Sequence, residues 1–109
     1  GETEAAVTGE DHAQQLGITV QELTDQLAER LGAQNVSGVV VSRVAPNSPA
    51  DRKGIERGDI ITSVNNKPVK SVRDYNTAVK GLKEDDVVLL RIFRDDNSYL
   101  RALRVPKKK

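Results

Sequence analysis

The sequence contains no cysteine, no methionine and no tryptophan, and its single histidine is His12. Without thiols there is no disulfide framework and no thiolate nucleophile. One imidazole with no sulfur ligand argues against a transition-metal site, and no cofactor is expected. The absence of cysteine fits many compartments and by itself places the chain in none. Aromatic residues make up 3% of the chain, which leaves almost no platform for stacking bases. No apolar run approaches the about 18 residues that a membrane span requires. Nor does the chain open with a basic stretch followed by an apolar segment. No signal peptide is therefore read, although a mature protein or an excised fragment would also lack one.

What is present suits a globular chain. The 109 residues are 37% hydrophobic and 30% charged, enough for one domain with a small core. The net charge of +1 conceals an asymmetry. Residues 1–29 hold seven acids and no Lys or Arg, for −7, and residues 30–109 hold nine acids and all 17 bases, for +8. Residues 1–14 lack apolar periodicity and read as an acidic flexible linker. Residues 15–105 read as the folded domain and 106–109 as a basic tail.

Within the domain, Gln15 to Val20 is a short β-like run. Leu23, Leu27, Ala28 and Leu31 recur at helical spacing, with Thr24 as N-cap and Gly32 as the stop. Ser37 to Val44 reads as a buried strand, and Ser48 with Pro49 starts a one-turn helix closed by Gly54. Asp59 to Val64 is a strand, Asn65-Asn66 a hairpin turn and Lys67 to Val69 a short return. Ser71 caps a helix from Val72 to about Leu82, with Asp74 in the capping-box position. Val87 to Phe93 and Tyr99 to Val105 are strands joined by Asp95-Asp-Asn-Ser98. The fold class is α+β: five or six strands in a partly open, strongly curved antiparallel sandwich or barrel, capped by two main helices.

The stretch Asn47-Ser-Pro-Ala…Gly54-Ile…Gly58-Asp-Ile-Ile…Asn65-Asn-Lys-Pro-Val69 resembles the signature of bacterial PDZ domains. Its residues read as structural: a cap, two glycines suited to positive φ and a half-buried strand. Departures are mild. Asn66 stands where Gly is usual, and Lys53 and Ile55 stand where a small residue and Leu are common. A second segment, Leu16-Gly-Ile-Thr-Val20 followed by Gln-Glu-Leu-Thr and a leucine-rich helix ending in Leu31-Gly32, resembles the PDZ domains of HtrA/DegP-type serine proteases. The acidic linker makes the second, C-terminal PDZ domain of such a protease the nearer match. The resemblance covers roughly residues 15–105 and implies the bacterial, permuted strand order.

Read from the residues, Leu16, Gly17 and Ile18 can offer successive backbone N–H groups to a carboxylate. Thr19 and Val20 continue as a sheet edge to which an extended C-terminus can add. On the helix after Ser71, the stripe of Tyr75, Ala78 and Leu82 is assigned to the core. The stripe of Val72, Asn76 and Val79 is assigned to the groove, which then favours apolar C-terminal side chains. The resemblance implies C-terminal peptides of unfolded or client proteins as partners. It further implies a trypsin-like protease domain and a neighbouring PDZ domain elsewhere in a parent chain, assembly into an oligomer, the periplasm, and a part in protein quality control under stress.

The chain itself is not expected to be an enzyme, because its one histidine lies in the acidic segment away from any serine–carboxylate pair. Alternatives are a PDZ module of another cell-envelope protease or secretion subunit, or a self-occluded domain serving oligomer assembly. The occluding element would be residues 1–14 or the first helix. Arg91, Arg94, Arg101 and Arg104 offer a basic stripe, yet they alternate with apolar residues as a solvated sheet face does. No nucleic-acid partner is expected.

Overall fold

The computed structural model describes residues 16–106. Six strands form one antiparallel sheet: β1 (Ile18–Glu22), β2 (Val39–Val44), β3 (Ile60–Val64), β4 (Lys67–Pro68), β5 (Val87–Arg94) and β6 (Asn97–Arg104). The spatial order is β1-β2-β3-β5-β6, with β4 paired to β3. Within the described residues the helices α1 (Asp25–Arg30), α2 (Pro49–Arg52) and α3 (Val72–Lys80) accompany it.

Caps set the helix starts as the sequence predicts. Thr24, Ser48 and Ser71 each accept a hydrogen bond from a backbone N–H three residues on, at 3.1–3.2 Å. At α2 and α3 the third residue reaches back: Asp51 accepts from the Asn47 N–H and Asp74 from the Lys70 N–H. Both helix ends are thereby satisfied by reciprocal local bonds.

Turn chemistry sets the hairpins. Asn65 and Asn66 take φ of 52° and 69°, and Asp95 and Asp96 take 50° and 67°. These are two-residue turns with both central residues left-handed, the geometry that matches strand twist. The last hairpin is therefore tighter than the sequence suggests. Arg94 pairs with Asn97, so Asn97 and Ser98 belong to β6, because Asp95 and Asp96 close the turn alone. At the start of the domain the expected strand also shifts. Leu16 is helical and Gly17 a turn, and β1 runs from Ile18 to Glu22, because Gly17 adopts φ +86°.

The core has two parts on opposite sides of the sheet. Val39, Val40 and Val41 are all buried, since both faces of β2 are covered. Val39 and Val41 join the main cluster with Leu16, Ile18, Tyr75, Val79 and Leu103. Val40 joins Ala33 and Ile60 on the other face, where Leu23, Leu27 and Leu31 of the α1 region pack with Phe93. The first helix is thus docked behind the sheet, away from α3, and does not occlude the groove. Residues 1–14, the other candidate for occlusion, lie outside the described residues.

Candidate peptide-binding site

The candidate site lies where β1 meets α3. Among the described residues β1 has one sheet neighbour, β2, and stands at one end of the strand order. Its inner residues alternate as a strand requires: Ile18 is buried, Thr19 exposed, Val20 half-buried and Gln21 exposed. The unmatched residue in the β1–β2 ladder lies on β2. Thr19 faces Arg43 and Val20 faces Val41, which leaves Ser42 as the bulge. The Ser42 hydroxyl donates to the Thr19 carbonyl at 3.2 Å. β1 itself remains continuous.

Gly17 opens the strand. At φ +86° its missing Cβ would fall on the side chain of Ser48, so no other residue fits without displacing that cap. The Ala45 N–H donates to the Gly17 carbonyl at 2.8 Å. The turn before β1 is thereby seated on the Ser48-Pro49 corner, a link between two motifs 31 residues apart that sequence reading did not make. Leu16 on its other side is fully buried and anchors the turn in the core.

On α3 the division into two stripes needs correction. Tyr75 and Leu82 are in the core as expected and Ala78 packs half-buried against it, but Val79, assigned to the groove, is 0% exposed. Val79 is four residues from Tyr75 and three from Leu82, so the three share one helical face. That face turns inward against β1. Val72 and Asn76 are half-buried, and Val72 packs with Val20 on the cluster that contains Ile18 and Val79. The structure thus brings Leu16, Ile18, Val20, Val72 and Val79 into one cluster, leaves Asn76 half-buried on α3, and turns Thr19 to solvent.

One side chain at this place escaped the sequence reading. Glu22 follows Ile18 and Val20 at strand spacing on the same face. The Val72 N–H, first of α3, donates to both of its carboxylate oxygens at 3.3 Å. The i, i+2, i+4 series was the available signal; the helix end that meets it was not.

Elsewhere, the buried Asp59 carboxylate accepts from the Glu56 N–H at 2.9 Å and from Arg94 through two nitrogens at 2.6 Å. That hydrogen bond holds the Arg94 guanidinium more firmly protonated than usual. Arg94 also donates to the Gly54 carbonyl, and Arg101 to the Lys53 carbonyl. Both guanidiniums lie within 6 Å of the Tyr99 ring centroid, in cation–π range. Arg104 meets Asp85. Three of the four arginines of the basic stripe are therefore held in internal contacts.

The PDZ domain family profile matches residues 14–104. The chain is a PDZ domain. A protein named "Probable periplasmic serine endoprotease DegP-like" from Rickettsia conorii is 37% identical over 90 residues, covering 83% of this chain and 18% of its own. A "Probable serine protease do-like" from Buchnera aphidicola is 38% identical over 81 residues, covering 74% of this chain and 17% of its own. This PDZ domain thus spans under a fifth of the length of either relative. Among solved structures, the HtrA3 PDZ domain bound to a phage-derived ligand (FGRWV) superposes with a TM-score of 0.70 at 32% identity, covering 82% of this chain and 81% of that one. The HtrA-type protease AlgW with a decapeptide gives 0.72 at 26% identity, covering 86% of this chain and 29% of that one.

Proposed function

We propose that this PDZ domain binds the C-terminal peptides of substrate or partner proteins by strand addition along β1. The carrying observation is the Gly17 turn at the head of a terminal strand with α3 packed alongside. The terminal carboxylate would meet the backbone at Leu16, Gly17 and Ile18, and the last side chains would enter between β1 and the Val72–Asn76–Val79 side of α3. Apolar lining favours an apolar C-terminal residue. The peptide-bound HtrA3 and AlgW structures support this reading.

In this reading the domain is a non-catalytic module of an HtrA/DegP-like serine endopeptidase of the bacterial periplasm. It tethers or regulates clients in protein quality control and acts beside a protease domain and a neighbouring PDZ domain in an oligomer. The periplasmic names of its relatives support that setting. Burial of Ile18 and Val79 at 2% and 0% exposure favours one refinement. Ile18 and Val79 then form the floor of the groove, on which the last side chains of a peptide pack beside Val20 and Val72.

An NMR titration of the labelled domain with a peptide ending in Val-X-Val-COOH, run beside its C-terminal amide, tests the reading. The expected outcome is shifts over 16–22 and 72–79 with the acid and none with the amide. A short added strand predicts a Kd of roughly 1–100 μM. Equal response to both peptides, or to neither, overturns carboxylate-dependent strand addition.

A further inference from the structure

Glu22 occupies a position that the apolar groove does not explain. It is exposed, yet its carboxylate turns back across the space between β1 and α3 to the Val72 N–H. A helix of nine residues presents its positive end there, which favours the contact. Among the described residues no Lys or Arg lies within ion-pair distance of Glu22. An ionised carboxylate offers about four acceptor sites, and one N–H leaves capacity for more.

We propose that Glu22 is the charge-selective residue of the groove and takes a Lys or Arg located four residues before the C-terminal residue of a bound peptide. The inference rests on the strand-addition reading and deepens it. Its basis is register. Ile18, Val20 and Glu22 lie on one face of an unbroken strand and point toward α3. A peptide antiparallel to β1, with its terminal residue beside Ile18, sets its third-from-last residue beside Val20 and its fifth-from-last beside Glu22. Side chains directly opposite on one face interact, and opposite charges there attract. The first two positions meet apolar walls; the third meets a fixed anion. The Val72 N–H pre-orients that anion, so little rotamer freedom remains to be lost on binding.

Fluorescence anisotropy with two labelled peptides tests the assignment. Both share the last four residues and carry either Lys or Glu at the fifth from the end. The wild-type domain is expected to bind the Lys peptide about two- to fivefold more tightly. Glu22→Gln brings the ratio close to one, and Glu22→Lys inverts it. Raising the salt shrinks the wild-type ratio, since the pair is exposed. An amide version of the Lys peptide reports on the carboxylate end separately. If both acids bind equally to the wild type while the amide does not bind, the Glu22 assignment is overturned and strand addition stands. If neither acid binds, or acids and amide bind alike, both readings fall. A ratio unchanged in Glu22→Gln places the selectivity elsewhere and overturns the assignment.

Discussion

Tyr75 is the residue at which the packing is least economical. It is the largest fully buried side chain in the described domain, and its hydroxyl finds no hydrogen-bond partner among the described residues. An unsatisfied buried hydroxyl costs about 1–3 kcal/mol that a phenyl ring in its place would not. Tyr75→Phe is expected to raise stability by about 1 kcal/mol, measured by urea unfolding at neutral pH. The same burial pushes the hydroxyl well above its ordinary pKa of 10.0. The folded state therefore keeps a proton that the unfolded chain releases. The resulting stability is present below pH 10 and is lost as the pH rises above it. Wild type should lose stability faster than Tyr75→Phe between pH 10 and 11; parallel curves would refute this. Gly17 and Ser48 show the opposite economy, since one side-chain volume at their contact is all the space allows.

At the scale of elements, the hairpins show how far local chemistry reaches. Asn65-Asn66 was legible as a left-handed turn because Asn tolerates that region. The turn at Asp95-Asp96 is less sharply legible, because four polar residues in a row do not announce which two close it. Both aspartates sit at positive φ, where Asn-Gly is preferred. Replacing Asp95 and Asp96 by Asn and Gly is expected to stabilise the domain by about 0.5–1 kcal/mol, read as a higher thermal midpoint with β5 and β6 unchanged. A loss of stability would mean that the acids hold contacts beyond the turn. The α3 helix teaches a related lesson. Its start was plain from Ser71 and Asp74, but which of two adjacent stripes faces inward depends on where β1 lies. Amphipathic pattern alone places a face only within a few tens of degrees.

At the scale of the molecule, the Asp59–Arg94 pair ties the strand after α2 to the far end of β5. Asp59 is 2% exposed, so removing its cation leaves a buried carboxylate with one backbone donor. Arg94→Met is expected to cost about 3 kcal/mol. Asp59→Asn combined with Arg94→Met should cost clearly less than the two single changes added together. Denaturant unfolding of the four proteins measures the coupling, and strict additivity would show that the pair does not act as one unit. The same arginine, with Arg101, grips the carbonyls that end α2 while flanking Tyr99. What reads along the sequence as a basic stripe becomes, in three dimensions, a clasp between the last hairpin and α2.

The sequence by itself determined the order of elements, their caps, the Asn65-Asn66 turn and the PDZ family, because those rest on bonds within four residues and on local periodicity. It also determined that Val39 to Val41 is buried on both faces, since three consecutive apolar residues leave no solvent side. Only the tertiary structure decided that Gly17 lies on Ser48, that Val79 faces inward, that α1 docks behind the sheet and that Glu22 meets the Val72 N–H. Each of these joins segments between which the chain runs out and returns. Their meeting depends on sheet order and twist, which no local pattern encodes.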